Sequence, residues 1–493
     1  MIIQNKKTKI LLLLVTLSLM INSCQDTDQT GIDFDSIPEN EEEFESLPDL
    51  SSRPVYEPGE LVDYLAQTGD TVQSLAHHFN TTEEEIRKAN PIIPENSTTL
   101  PPGLPLQIPI YYLALWGSPE QILPDNHFIN GPLAATFDAV GFVNGFPGWL
   151  KDYEQFAGGD QRKGGELIEH IATNFSINPK LLLALIEFQT GALTNPFPPS
   201  EDNLYPLGYF ERSHQGLYRQ LLWAANTLNN GFYGWRTGSL TDYEHLDGRL
   251  ERPDPWQNAG TIGLHYYFSK TLDKPDYWKA IQLEGFLKTY TNLFGDPWKD
   301  QYPHIEGSLE QPEFILPFEP GKMWAYTGGP HTGWGEGEPF AAIDFAPPSE
   351  MSGCIPSFEW VTAQADGMIV RTSTGIAVLD LDKDGLEQTG WVIVYLHLAT
   401  VDKIKEGEFV SAGDPIGHPS CEGGTSTGTH VHISRKYNGE WIPAGGPLAF
   451  AMEDWITVSG EEPYEGTLER YGGLVQASLV SDNRSLISSD RTP

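Results

Sequence analysis

Gly428-Thr429-His430-Val431-His432-Ile433-Ser434-Arg435 is the stretch on which the fold and chemistry of this chain turn. Its alternating pattern predicts a strand over 430–435, and on a strand residues two apart point the same way. His430 and His432 are therefore expected on one face. Working outward, further period-2 segments separated by Gly-rich turns occupy Gly367–Ser373, Gly375–Leu381 and Trp391–Leu398. His397 ends Val394-Tyr395-Leu396-His397, His331 lies in Gly328-Gly329-Pro330-His331-Thr332-Gly333, and Asp344 lies in Ala342-Ile343-Asp344-Phe345. Two imidazoles on one face, a third and a carboxylate suit a Zn²⁺ ion with one open coordination position. The His-x-His pair alone is weak evidence, whereas the ordered set is specific.

That set, with Gly428-Thr429 before it, resembles the lysostaphin-type zinc endopeptidases, which cut peptide cross-links of bacterial cell walls. The likeness spans roughly residues 312–445. It includes Gly367-Met368-Ile369-Val370 and the turn Val410-Ser411-Ala412-Gly413-Asp414-Pro415-Ile416-Gly417. The resemblance implies an antiparallel β-sheet zinc peptidase domain over 306–455. It makes His331, Asp344 and His432 the zinc ligands, and makes His397 and His430 an unligated catalytic pair. One departure stands out. The family's first ligands follow a His-x-x-x-Asp pattern, whereas here His331 and Asp344 are thirteen positions apart, with Gly333, Gly335, Gly337 and Pro339 between them. Such a bulge either still brings both to one metal or leaves a degenerate site that only scaffolds.

Upstream, Lys6, Lys7 and Lys9 precede an apolar run from Ile10 to Ile21, which ends at Asn22-Ser23-Cys24. A basic start, a short apolar run and a small residue before Cys resemble a bacterial lipoprotein signal over 1–24. It implies export and lipidation of Cys24, and hence a lipid-anchored protein facing the wall or periplasm. An ordinary secretory signal is the alternative. Residues 25–54 carry ten acidic side chains and one basic one, Arg53, and read as an extended, disordered tether. With Cys24 used, Cys354 and Cys421 favour one disulfide in an oxidising compartment, two free thiols being the alternative.

Residues 55–110 contain Tyr64-Leu65-Ala66-Gln67-Thr68-Gly69-Asp70-Thr71, a helical face of Val72, Leu75, Ala76 and Phe79, and a closing Leu106-Gln107-Ile108-Pro109. Thr71 is placed to cap the first helix, and Thr81 with Glu84 reads as a capping box for a second. This strand–helix–helix–strand order resembles the LysM domain, a small βααβ module that binds N-acetylglucosamine-containing glycans. By that resemblance Gly69, Asp70, Thr71, Ile92 and Ile93 are expected to contact peptidoglycan, unless these turn residues merely build the module.

Residues 115–305 hold apolar 3.6-period stretches at Gly165–Phe175, Lys180–Phe188, Gly216–Leu228 and Trp278–Leu293. Ser176 to Gly191 resembles the core helix of lysozyme-like lytic transglycosylases. The aligned catalytic position is Gln189, whose amide has no acid proton to give. Glu187, two residues earlier, points elsewhere on a helix. The segment is therefore expected as an inactive, lysozyme-like glycan cradle or a helical spacer. Tyr209, Tyr218, Trp223, Tyr233 and Trp235 suit either sugar stacking or a core.

Two further features remain. Asp380, Asp382 and Asp384 alternate before Gly385, which fits a turn with solvated acids or, as the sharper alternative, Ca²⁺. Residues 456–493 read as a flexible tail. The 493-residue chain is thus expected to be multidomain α+β. Its formal charge of −38 opposes binding to nucleic acid. The leading expectation is a wall hydrolase that cleaves stem or cross-bridge peptides and is targeted to glycan. The alternatives are a catalytically silent peptidoglycan-binding scaffold or regulator of other hydrolases, and a secreted protease acting on Gly-rich proteins.

Overall fold

The computed structural model describes residues 54–111, 116–199, 204–349 and 351–491. The signal, Cys24 and all of the acidic tether but Pro54 lie outside the described residues.

The LysM segment begins with strand Glu60–Leu65, paired antiparallel with Pro105–Ile110. Val62 and Tyr64 turn inward while Leu61, Asp63 and Leu65 face outward, as a half-buried strand requires. Helix Val72–His78 starts where expected, because the Thr71 hydroxyl accepts from the backbone N–H of Ser74. The next helix, Glu83–Ala89, starts one residue later than its sequence suggested: Thr82 caps it, and Thr81 donates to the Glu85 carboxylate.

His78, at the end of the first helix, stacks on Trp235 with ring centroids 3.5 Å apart and its Nε2 2.8 Å from the Trp235 carbonyl. Burial pushes its pKa down to about 3, against that carbonyl, and His77 and Arg236 push the same way. In the unfolded chain the ordinary value is about 6.5, so between these limits the unfolded state binds the extra proton. Stability supplied by His78 is therefore present above pH 6.5 and lost as pH falls. A His78→Gln variant should melt below wild type at pH 7.5. By pH 5 that gap should close by about 2 kcal/mol, read by urea denaturation at the two pH values.

The helical segment is built from Gly164–Phe175, Pro179–Thr190, Leu217–Thr237 and Ala259–Thr271. The stretch expected over 278–293 divides into Lys274–Ala280 and Phe286–Phe294, because the turn between them brings the Gly285 backbone close to the carbonyls of Lys279 and Ala280. Tyr233 and Trp235 are core residues, and Tyr209 stacks on half-buried Trp223 at 4.0 Å.

The peptidase segment carries a nine-stranded sheet, antiparallel at every strand pairing among the described residues. Its main path runs Phe409–Val410, Gly367–Ser373, Gly375–Asp380, Trp391–Leu398, Val431–Tyr437, Ala342–Ala346, Met323–His331 and Leu486–Ser488. One face of this sheet, with Ile376, Val378, Val392, Val394, Leu396 and Trp441, shares a continuous core with the helical segment. The opposite face, with Ile343, Ile393, Tyr395 and Ile433, forms a second core. The helices are therefore a packed layer on the sheet and not a spacer.

The expectation of a flexible tail over 456–493 is corrected. Trp455–Ser459, Gly466–Arg470 and Gly473–Gln476 form a meander, and Leu486–Ser488 pairs with Met323–Ala325 at the sheet edge. Buried Trp455, Leu468, Val475 and Ile487, spread thinly among polar residues, anchor these short strands.

A buried charge cluster ties the parts together. Arg236, one residue before the end of its helix, donates to Asp125 at 2.9 Å, to Glu440 at 2.8 Å and to the Thr68 carbonyl. His304 lies 2.6 Å from the other Glu440 oxygen.

Candidate metal centre

Register builds the site. His432 sits directly across from Asp344 on neighbouring strands. The strand Met323–His331 joins on the far side, and register shifts near Gly328 bring its last residue, His331, back toward Asp344. Gly328 is opposite Asp344, where a Cβ would lie 2.7 Å from the carboxylate oxygen, so only glycine fits. The detour from 332 to 341 is held from outside: Asn226 and Asn230 of helix Leu217–Thr237 accept from the backbone N–H groups of Glu336 and Glu338.

His331 Nε2, His432 Nδ1 and Asp344 Oδ1 lie 3.0–3.3 Å from one another. Ligands about 2.0–2.2 Å from a tetrahedral ion are separated by roughly 3.3–3.6 Å, close to that spacing. Asp344 Oδ1 is buried and has no hydrogen-bond partner, as a metal-directed oxygen would. The tautomers agree with this. His331 Nδ1 is 2.8 Å from the Gly329 carbonyl and His432 Nε2 is 3.2 Å from that of Gly333, so each donates there and turns its other nitrogen's lone pair to the centre. Burial opposes charge on Asp344, but His331 and His430 outweigh it and hold the carboxyl well below the usual range. Burial likewise opposes charge on His331, yet Asp344 raises its pKa overall. For His432 burial prevails and the pKa falls.

His397 and His430 face the same space, with ring centroids 4.6 Å apart. His397 has φ +66° and is skipped in the pairing of Gly375–Asp380 with Trp391–Leu398. It is a bulge residue. Leu396 therefore packs in one core and Leu398 in the other. Regular alternation would have put His397 on the face opposite His432, and the bulge turns it back. Its Nδ1 is 2.8 Å from the Glu422 carbonyl, and that of His430 is 2.8 Å from the Gly428 carbonyl, so neither Nε2 is used by those carbonyls, and His430 Nε2 lies 3.6 Å from Asp344 Oδ2. Burial and the neighbouring His430 lower the His397 pKa to about 4.

Three family matches cover most of the described chain. Residues 64–109 match the LysM domain, 121–306 the N-terminal domain of LasA, and 352–443 peptidase family M23. The beta-lytic metalloendopeptidase of Lysobacter enzymogenes is 32% identical over 165 residues, covering 32% of this chain and 85% of that protein. The chain belongs to peptidase family M23. Protease LasA of Pseudomonas aeruginosa is 26% identical over 353 residues, 66% of this chain and 77% of the relative. The solved M23 metalloprotease pseudoalterin, from the deep sea, is 26% identical over 34% of this chain and 96% of its own, with a TM-score of 0.29.

In the M23 segment Cys354 and Cys421 form a disulfide. It braces the loop that carries Glu422 and leads to His430, since Thr429 also bonds to the carbonyls of Gly353 and Ile355. Replacing both cysteines by Ala should cost about 2–4 kcal/mol of stability in chemical denaturation, through the entropy returned to the unfolded chain.

Tyr464, which lies in the expected tail, stacks on His331 with centroids 4.1 Å apart. No motif marks it; only the fold brings this hairpin to the M23 centre. The three aspartates near 380 make a tight loop in which Asp382, Asp384 and Gly385 backbone N–H groups bond to the Asp380 and Asp382 carboxylates. Burial and its acidic neighbours raise Asp380 to about 6, against the Gly385 hydrogen bond.

The expected LysM contacts are largely engaged within the protein. The Asp70 carboxylate accepts from Tyr64 and from the Gln67 backbone, both at 2.7 Å, and Gly69 packs against the Arg236 guanidinium. Ile93 is in the LysM core and Ile92 is exposed. In the helical segment Glu187 is tied to Leu193 and Thr194, and Gln189 to Tyr267. Neither residue is presented as a free acid.

Proposed function

We propose that the protein is a zinc endopeptidase that cleaves stem or cross-bridge peptides of peptidoglycan, with its LysM domain keeping it on the glycan. The observation that carries this proposal is the convergence of His331 Nε2, Asp344 Oδ1 and His432 Nδ1 around one point, with Asp344 Oδ1 buried and lacking a donor. In this reading these three hold Zn²⁺, which when bound polarises the scissile carbonyl and acidifies a water. His397, whose pKa is lowered to about 4, is neutral at pH 7 and accepts a proton at Nε2. His430, its Nδ1 fixed on Gly428, presents its Nε2 to the same space and steadies charge developing on the substrate. Asp344 balances charge among the surrounding imidazoles.

In the helical segment Glu187 is engaged by Leu193 and Thr194 and Gln189 by Tyr267, so this reading assigns the cleavage to the M23 centre and its bond to a peptide. Among the described residues no helix is long and apolar enough to cross a membrane. Export with lipidation at Cys24 would place the enzyme on the wall-facing side, a point checked by mass spectrometry of the processed N-terminus.

Purified sacculi treated with wild type should release muropeptides carrying new amino termini, and an added chelator should stop that release. Intact stem and bridge peptides after treatment, with the protein still bound to sacculi, would leave a silent glycan-binding scaffold.

A further inference from the structure

His331 and His432 are each oriented by one backbone carbonyl, and the two carbonyls are held by different means. The carbonyl on His331 belongs to Gly329, whose N–H donates to the Tyr464 carbonyl at 2.8 Å, so backbone pairing at the sheet edge fixes it. The carbonyl on His432 belongs to Gly333, which lies outside any strand, in the detour that follows His331.

That detour closes on itself and leans on the helical segment. The Gly333 N–H donates to the Pro339 carbonyl at 2.9 Å, and the Thr332 hydroxyl donates to the Gly337 carbonyl at 2.6 Å. Its outer edge rests on helix Leu217–Thr237. Asn226 Oδ1 accepts from the Glu336 N–H at 2.8 Å, and Asn230 Oδ1 accepts from the Glu338 N–H at 2.6 Å. The two asparagines are four apart and so share one helix face. Gly335 and Gly337 have φ +85° and +82°, and a Cβ on either would collide with these same amide oxygens. Trp334, between them and Gly333, packs against the helical core.

Inside a helix asparagine is a poorer choice than alanine, by up to about 0.7 kcal/mol. Asn226 and Asn230 are therefore explained by the loop they hold and not by the helix they sit in.

We propose that Asn226 and Asn230 are positioning residues for the metal centre, which hold the detour so that the Gly333 carbonyl stays on His432 Nε2 and thereby set the affinity for zinc. This rests on the zinc reading above and extends it, because it makes the helical segment a working part of the M23 centre. While Nε2–H is bonded to Gly333, the lone pair of His432 Nδ1 faces His331 and Asp344. A loop released from the helix takes its carbonyl away and leaves the imidazole free to turn or to change tautomer. Partners of this kind, bonded to a ligand and not to the metal, are worth about 10–100-fold in metal affinity.

Competition with a chromophoric chelator measures the zinc affinity of the full chain, with melting of the metal-free protein run beside it. Asn226→Ala combined with Asn230→Ala should bind zinc about 10–100-fold more weakly than wild type. Alanine favours the helix, so the helix itself should persist. Asn226→Asp keeps an acceptor oxygen and should bind more tightly than Asn226→Ala. Gln220→Ala controls for a merely structural effect. On the same helix it removes hydrogen bonds to Leu207, Tyr209 and His214, none of them in the detour. It should lower the melting temperature and leave zinc affinity unchanged. Wild-type affinity in the double variant would overturn the inference, and so would an equal loss in Gln220→Ala; the peptidase reading survives either result. If the double variant does not fold, the substitutions at 226 decide, and equal affinity of Asn226→Ala and wild type would overturn the inference. A wild type that takes up no zinc would overturn this inference and the peptidase reading together.

Discussion

Asp344→Asn is expected to abolish peptide cleavage and to lower zinc affinity by at least about 100-fold, while the chain stays folded. The substitution keeps the shape of the side chain and removes its charge. In the native site one carboxylate oxygen lies 3.2–3.3 Å from nitrogens of His331 and His432, and the other lies 3.6 Å from His430. An amide neither balances those imidazoles when a divalent ion is bound nor offers comparable affinity as a ligand. His397→Ala should behave differently. It is expected to keep one zinc per chain and lose about 10²–10⁴ in kcat, because it removes a proton acceptor and leaves the ligands in place. Zinc content and kcat measured together separate the two roles. If His397→Ala lost its zinc in parallel with Asp344→Asn, the division into ligands and unligated pair would be wrong.

Arg236→Met should cost about 3–5 kcal/mol of stability. The guanidinium is the shared partner of Asp125 and Glu440, both nearly fully buried, and it also bonds to the LysM Thr68 carbonyl. Without it buried Asp125 loses its counter-charge and Glu440 is left with His304 alone. Burial alone would raise the Glu440 pKa, yet Arg236 and His304 outweigh it and hold it below the ordinary value. With the folded pKa depressed, this contribution is present above the unfolded value and lost as pH falls through the folded one. The cluster joins the LysM, helical and peptidase segments, so the variant should also expose the segment junctions to proteases. Denaturant unfolding measures the first effect and limited proteolysis the second. A loss below about 1 kcal/mol would show the cluster to be dispensable.

Parts of this architecture were legible because they depend on local pattern. The His430-Val431-His432 alternation placed both imidazoles on one face, and Thr71 announced its helix through a capping interaction spanning three residues. The rest depends on contacts distant in sequence. The detour between His331 and Asp344, thirteen positions apart, closes because helix Leu217–Thr237 grips it through Asn226 and Asn230. No reading of residues 331–344 alone contains those partners. His397 reaches the centre by a backbone bulge, which strict alternation contradicts. Tyr464 and the strand Leu486–Ser488 are held by a sparse set of buried side chains in a polar stretch, a pattern that composition reads as a tail. The helical segment looked separable because its periodicity is self-contained, yet its core continues into one face of the peptidase sheet.

X-ray absorption at the zinc edge of the purified full chain tests the central claim most directly. One zinc per chain is expected, with a shell of nitrogen and oxygen atoms at about 2.0–2.2 Å that includes two imidazoles, and it should disappear in His331→Ala. A sulfur shell near 2.3 Å, or a zinc signal unchanged in that variant, would contradict it.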